Sequence, residues 1–327
     1  MDLSVRMERW PLASAFTISR GSKTDAIVVV AELTDGTHSG RGECVPYARY
    51  GETPDGIMAA LDAMRPSVRR GLDRAALQAA MAPGAARNAL DCAYWDVNAK
   101  QAGRPVYELA GLVAPAPRVT AYTISLAKPD EMAAAAERAG SRPLLKVKLG
   151  GADGDDGRRI AAVRRVAPRA ELIVDANEGW AEDDLSKNLA ACADCGVTLV
   201  EQPLPEARDQ PLSGIARPIP VCADESVHDR KSLDRLAGKY DAVNVKLDKA
   251  GGLTEALALA AEAERRGFAL MIGCMVATSL SMAPAMLAAQ RAKIVDLDGP
   301  LLLAADRPDG LRYQGSLVYP PGPALWG

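Results

Sequence analysis

"RPLLKVKLGG", residues 142–151, sets two lysines, Lys146 and Lys148, into a run that otherwise reads as a buried β-strand. Side chains at i and i+2 of a strand share a face, so the two ammonium groups project together. Lysine is rarely buried without a partner. The flanking sequence supplies the fold that gives this face a meaning. From about residue 119 the chain falls into a repeating beat of apolar runs: "VTAYTISL" (119–126), "LLKVKLG" (144–150), "ELIVDANE" (171–178), "VTLVEQPL" (197–204), "IPVCADES" (219–226), "DAVNVKLD" (241–248), "FALMIGCM" (268–275) and "KIVDLDGP" (293–300). Helical patterns lie between them, among them "PDEMAAAAERAG" (129–140), "DRKSLDRLAGK" (229–239) and "GLTEALALAAEAERRG" (252–267), with a weaker, Pro-rich one near 205–216. Eight strands alternating with seven helical segments predict an α/β fold, a (β/α)7β modified TIM barrel, one helix short of the regular eightfold unit.

Residues 1–118 read as a separate α+β capping domain in front of a catalytic barrel over 119–300. Two strand-like stretches, "AIVVVAEL" (26–33) and "GRGECVPY" (40–47), precede helices beginning near Thr53, Asp73 and Pro83. The tail, 301–327, ends "PPGPALWG", is too rich in proline for a helix, and is expected to pack back on the capping domain. At 327 residues the chain is long enough for two domains, and a net charge of -3 without a Lys/Arg block gives no footprint for nucleic acid or an anionic membrane. The N-terminal stretch has no apolar leader pattern and no long uncharged apolar run follows, so the expected setting is the cytoplasm and the expected partner a small molecule. A homo-oligomer is compatible with this composition. Of the six cysteines only Cys192 and Cys195 are close, on an alanine-rich helix, and they read as reduced core residues.

The barrel strands carry charge where they end. The third, fourth and fifth finish with Asp175, Glu201 and Asp224, each about one β/α unit after the last. Any one of these acids alone could be a helix N-cap. Three at consecutive strand ends converge on the barrel mouth, where bare anions repel and a hard divalent cation such as Mg²⁺ resolves the repulsion. Lys246 follows on the sixth strand. Alternation faces it inward with Asn244 and Asp248 and turns Lys249 away or into a loop cap. The order around the ring is lysine pair, three acids, lysine. Removing a proton beside a carboxylate needs a base and something to hold the developing charge; amines on two sides of a metal-held carbon acid predict 1,1-proton transfer, that is, racemisation or epimerisation.

This combination resembles the enolase superfamily, specifically its muconate-lactonizing-enzyme subgroup, over essentially the whole chain. The resemblance implies that Lys148 and Lys246 are the acid/base pair, that Lys146 assists, and that Asp175, Glu201 and Asp224 hold one Mg²⁺ per subunit with Asn177 and Glu225 beside them. On the eighth strand the D-x-D of Asp296 and Asp298 resembles the dipeptide epimerases, in which the two acids bind the substrate's free α-ammonium group. "FTISRGSKT" (16–24) resembles the mobile loop of those acting on L-Ala-D/L-Glu, which makes Arg20 the expected partner of the glutamate side chain, with Lys23 as a nearby substitute. The implied activity is Mg-dependent epimerisation at Cα of the C-terminal residue of a dipeptide, L-Ala-D/L-Glu, as in peptidoglycan recycling. Cycloisomerases, o-succinylbenzoate synthases and N-acylamino acid racemases of the same subgroup are the alternatives, and a Schiff-base aldolase on one of the lysines is a reading from another class. Thr123 and Ser125 are expected to line the pocket. Ala277 departs from relatives that often carry an acid there, and Trp180 reads equally as a lid or a packing residue.

Overall fold

The computed structural model describes residues 1–327. The N-terminal part is an antiparallel sheet of β1 (Asp2–Ile18), β2 (Gly21–Thr34) and β3 (Ser39–Cys44), in that order, backed by helices α1 (Pro54–Arg69), α2 (Arg74–Ala80) and α3 (Ala85–Ala102). Thr53 and Asp73 cap α1 and α2 by accepting from the backbone N–H of Gly56 and Ala76. The sequence reading anticipated two strands here and missed β1, although Leu3, Val5 and Met7 alternate with Ser4, Arg6 and Glu8 at the two-residue period of a half-buried strand. Helix α3 lies directly on β3. Gly40 and Gly42 permit this, because a Cβ on either would run into the helix backbone at Val97 and Ala89.

Eight parallel strands follow: β4 (Tyr122–Ile124), β5 (Leu144–Lys148), β6 (Glu171–Asp175), β7 (Val197–Glu201), β8 (Val221–Ala223), β9 (Ala242–Val245), β10 (Ala269–Gly273) and β11 (Ile294–Asp296). Each lies within one of the eight expected runs, and neighbours in the sheet are neighbours in the chain. No strand ladder joins β4 to β11. The seam is closed instead by Ala121 N–H to the Val295 carbonyl at 2.8 Å and by Leu297 N–H to Thr120 Oγ1 at 2.8 Å. Below the mouth, Ala121, Leu144, Ile173, Leu199, Cys222, Ala242, Met271 and Ile294 form one buried layer, a residue from each strand or its first turn, so the barrel has a solid floor.

Helices Pro129–Ala139, Asp156–Val166, Glu182–Asp194, Leu253–Arg265 and Ser279–Ala289 fill five of the seven crossovers. Two of the seven expected helical segments, the weak one near 205–216 and "DRKSLDRLAGK" (229–239), are not α-helices. After β7 the chain makes 3-10 turns at Glu206–Arg208 and Gln210–Ser213, in a segment whose prolines remove backbone donors. After β8 it makes only Arg230–Arg235, capped reciprocally by Asp229 and Ser232 and halted by Gly238 at φ 78. The tail touches both parts of the molecule. Ala304 N–H bonds the Pro11 carbonyl at 2.9 Å, Leu317–Val318 pairs with Arg118–Val119, and the Trp326 indole, buried, donates to the Cys92 carbonyl at 3.0 Å. Arg307 bonds Glu43 Oε2 at 2.6 Å while Glu43 accepts from Thr278 at the mouth of the barrel. No helix is long and apolar enough to cross a membrane.

Candidate active site

The charged strand ends meet in one buried cluster. Lys148, Asp175, Glu201 and Asp296 are the last residues of β5, β6, β7 and β11, and Asp224 and Lys246 immediately follow β8 and β9. Lys148 stands opposite Asp175, and Asp175 opposite Glu201, in the strand register, so the ring of ends is level. Carboxylate oxygens of Asp175, Glu201 and Asp224 lie within 4.8 Å of one another, all three residues buried. Lys148 Nζ is 2.6 Å from Asp175 Oδ2, and Lys246 Nζ is 2.6 Å from Asp224 Oδ2. Since β5 and β9 are four strands apart in a ring of eight, the two ammonium groups reach the triad from opposite sides. Lys146 sits beneath, 2.6 Å from Glu201 Oε2, 2.8 Å from Asp296 Oδ2 and 3.2 Å from Asp175 Oδ2.

Strand alternation fails just past β9. The backbone turns into a single helical turn, Leu247–Ala250, which swings Lys249 back to donate to Asp224 Oδ1 at 2.5 Å and to the Asn244 carbonyl at 3.0 Å. It sends Asp248 out of the site to accept from Asn88 at 2.8 Å and from Val45 N–H at 3.1 Å. The same correction applies to Asp298, which lies beyond β11 in the turn leading into Gly299–Leu302 and accepts from the Thr123 backbone N–H at 2.7 Å. Burial and then the charge of Asp296 push the Asp298 carboxyl up to about 7. Asp296 and Asp298 are both buried, and Asp296 Oδ1 meets no donor.

Electrostatics follow from this packing. Burial disfavours every charge here, yet the lysines hold Asp224 and Asp175 well below the usual carboxylate range. Glu201, the middle acid, is pushed up to about 7 by burial and then by Asp175. The donor set fits a hard divalent cation such as Mg²⁺: three carboxylates, no sulfur or imidazole, drawn closer than like charges tolerate unless countered. Asn244 Nδ2 to Glu201 Oε1 at 2.7 Å and Asn177 Nδ2 to Asp175 Oδ2 at 3.2 Å orient two of the three acids. Gln202, at φ 33, was not singled out from the sequence; its Oε1 accepts from Asp224 N–H at 2.8 Å and fixes the approach of the third.

Above the cluster is a cavity of roughly 610 Å³ roofed by the β1–β2 hairpin and the Tyr47–Tyr50 loop. Ser19 Oγ and Arg20 Nη1 both donate to the Asn177 carbonyl, at 2.7 and 2.6 Å, docking the hairpin tip on the end of β6. Arg20 also reaches Glu225 Oε1 at 2.6 Å, the Tyr47 hydroxyl at 2.9 Å and Glu178 Oε2 at 3.2 Å. Glu225 and Asn177 thus border the triad, and each keeps one buried oxygen without a donor. Phe16, Tyr47 and Tyr50 line the cavity and were not foreseen; the aromatic "PYARY" run after β3 is the signal that marks two of them. Trp180 is a packing residue, its indole donating to Asp156 Oδ2 at 2.8 Å.

A capped (β/α)7β barrel with carboxylates on three successive strand ends and lysines on opposite sides defines a member of the enolase superfamily. Residues 1–111 match the mandelate racemase / muconate lactonizing enzyme N-terminal domain and residues 130–322 the enolase C-terminal domain-like family; the chain belongs to this family. It is similar to the L-Ala-D/L-Glu epimerase of Escherichia coli K12, 45% identical over 312 residues covering 94% of this chain and 95% of that one. It is also similar to the N-acetyl-D-glutamate racemase of a Pseudoalteromonas species, 43% identical over 92% of this chain and 95% of that one. Among solved structures, an enolase family member from Agrobacterium tumefaciens with homology to dipeptide epimerases, holding sodium and L-Ala-L-Glu with an ordered loop, matches at TM-score 0.97 and 55% identity over 99% of each chain. The dipeptide epimerase of Enterococcus faecalis V583, complexed with Mg and L-Leu-L-Tyr, matches at TM-score 0.91 and 28% identity, covering 100% of this chain and 99% of that one.

Proposed function

We propose that the protein is a magnesium-dependent dipeptide epimerase acting on L-Ala-D/L-Glu, inverting Cα of the C-terminal residue. The observation that carries this is the pair of ammonium groups, Lys148 and Lys246, reaching one carboxylate triad from opposite sides of the barrel. Asp175, Glu201 and Asp224 would hold a divalent cation, which would supply Lewis-acid charge for the substrate carboxylate and, by like-charge repulsion, would make the adjacent lysines easier to deprotonate. One lysine takes the Cα proton from its face and the other returns a proton to the opposite face. Lys146, held charged by Asp296, Glu201 and Asp175 despite its burial, keeps a positive field under the carbon as negative charge grows. Asp296 and Asp298 receive the dipeptide's α-ammonium group, Asp296 with an oxygen that has no donor of its own. The hairpin, pinned by Ser19 and Arg20, excludes water.

We assign catalysis to residues 119–300 and the roofing of the site to 1–118 with 301–327, and we place the reaction in the cytoplasm, in peptidoglycan peptide recycling. The relatives named for L-Ala-D/L-Glu and for N-acetyl-D-glutamate share a glutamate with an anionic side chain, which supports an acidic residue at the inverted centre. The decisive experiment incubates the protein with L-Ala-L-Glu and Mg²⁺ in D₂O. Deuterium is expected at the glutamate Cα together with L-Ala-D-Glu, and EDTA is expected to stop both. An unlabelled dipeptide rejects the assignment, and faster turnover of N-acetyl-D-glutamate replaces it with the second reading.

A further inference from the structure

Gln202 stands one residue past β7 and does for Asp224 what a strand backbone would otherwise do. In the parallel pairing of β7 with β8, Gln202 N–H bonds the Cys222 carbonyl at 2.9 Å, and the next bond of that ladder would carry Asp224 N–H to the Gln202 carbonyl. The left-handed backbone at Gln202 turns that carbonyl aside, to accept from Glu178 N–H at 2.8 Å in the turn that follows Asp175. The side-chain Oε1 takes its place, accepting from Asp224 N–H at 2.8 Å and from Ser226 N–H at 3.1 Å. One residue thus ties together the loops of all three acids, and only with its amide oxygen toward Asp224.

The other end of the amide meets a buried network. Gln202 Nε2 has the Leu204 carbonyl, Ser226 Oγ and the Tyr240 hydroxyl around it, each at 2.9 Å. The carbonyl can only accept, but a hydroxyl can face an NH2 group with a lone pair or with a proton. Asp209 decides which. Its Oδ2 lies 2.9 Å from both hydroxyls, and a carboxylate draws both protons to itself and leaves their lone pairs for Gln202. Lys239 Nζ holds the other oxygen, Oδ1, at 2.5 Å. Asp209, Gln202, Ser226 and Tyr240 are all buried. Asp209 joins the two 3-10 turns after β7, and Lys239 and Tyr240 end the crossover after β8. The two crossovers that are not α-helices are therefore the ones that supply this network.

We propose that Asp209 is a positioning residue for the metal site: through Ser226 and Tyr240 it sets the polarity of the network and so holds Gln202 in the orientation that presents Asp224 beside Asp175 and Glu201. This rests on the metal reading of the triad above. The test titrates metal-free wild type, D209N, K239M and D209N/K239M with Mn²⁺ alone, read by its EPR signal, with urea unfolding of each metal-free protein alongside. In D209N, Lys239 keeps the oxygen of the new amide on its own side and turns the NH2 group to the hydroxyls, whose protons must then point at Gln202 Nε2. Mn²⁺ affinity is expected to fall about ten- to hundredfold, the range for groups that orient a metal-ligating carboxylate. Removing the lysine as well lets the new amide turn over and accept from the hydroxyls, so D209N/K239M recovers most of the affinity, and K239M alone stays close to wild type. S226A/Y240F deletes the relay between Asp209 and Gln202; it is expected to lose as much as D209N and decides the matter should D209N fail to fold. Loss of packing alone lowers stability in urea, leaves the affinity of the folded protein in place and gives no recovery in the double variant. Wild-type affinity in D209N, or a D209N/K239M as weak as D209N, overturns the proposal. A wild type that binds no Mn²⁺ overturns the metal reading and this assignment together; one that binds it, with the variants indistinguishable, overturns this assignment alone.

Discussion

At the scale of single residues the two flanking lysines have separable duties. In the proposed reaction each serves one side of the substrate carbon, so removing one would leave a base for only one antipode. K148A and K246A are expected to lose epimerisation by about 10²–10⁴-fold, the range of a positioned acid/base group. Each should still exchange the Cα proton of one dipeptide diastereomer in D₂O, and the two variants should retain opposite ones, read by NMR of L-Ala-L-Glu and L-Ala-D-Glu separately. Loss of exchange with both diastereomers in either variant would contradict a two-base arrangement. These residues were legible in the sequence because a strand imposes a two-residue period on its side chains and a barrel sets its chemistry at strand ends. The same rule misread Asp248 and Lys249, which lie in a helical turn where the period no longer applies. Nor does it show that Arg20 is engaged by Asn177, Glu178 and Glu225, more than 150 positions away in the chain.

At the scale of elements, the weak point of the barrel is the seam between β4 and β11. Thr120, fully buried, accepts the Leu297 N–H there, and Leu297 lies between the two acids proposed to hold the dipeptide's amine. T120V keeps the shape and leaves that donor unpaired. The expected cost is about 1–3 kcal/mol in urea unfolding at an unchanged m-value. KM for the dipeptide should rise in the same variant while its deuterium exchange at saturation is largely kept. The eight strands were readable from their apolar runs, and the helices from their caps and glycine stops. The two 3-10 crossovers were not, because a short segment with helical spacing looks alike in both forms until proline placement and the available length decide between them. Strand β1 escaped notice since its exposed Met7 and paired Arg6 and Glu8 blur the alternation that its partner β2 resolves.

At the scale of the whole molecule, the roof and the barrel are joined by a buried charge contact. Arg307 of the tail lies against Glu43 of β3, Glu8 of β1 and the Trp10 ring, while Glu43 also takes the Thr278 N–H at 2.9 Å. R307M leaves Glu43 buried without its cation, which is expected to cost about 3–5 kcal/mol near neutral pH. Burial already raises the Glu43 carboxyl above its ordinary value against the pull of Arg307. Without the arginine it rises further, so the penalty falls on the ionised form and shrinks as pH drops toward the ordinary carboxylate range. Denaturation at pH 5 and pH 7 should therefore show the smaller loss at pH 5, and E43Q/R307M should recover much of it at pH 7. An equal loss at both pH values would place the cost in packing instead.

The cluster at the barrel mouth has an accounting of its own: the ammonium groups of Lys146, Lys148, Lys246 and Lys249 stand against the carboxylates of Asp175, Glu201, Asp224 and Asp296, four against four. A dication held by Asp175, Glu201 and Asp224 would add positive charge beside these ammonium groups, and that surplus would favour shedding a hydron from the cluster to the solvent. Metal capture and the arming of a base would then be one linked equilibrium, tightening with alkalinity and acidifying the medium as it proceeds.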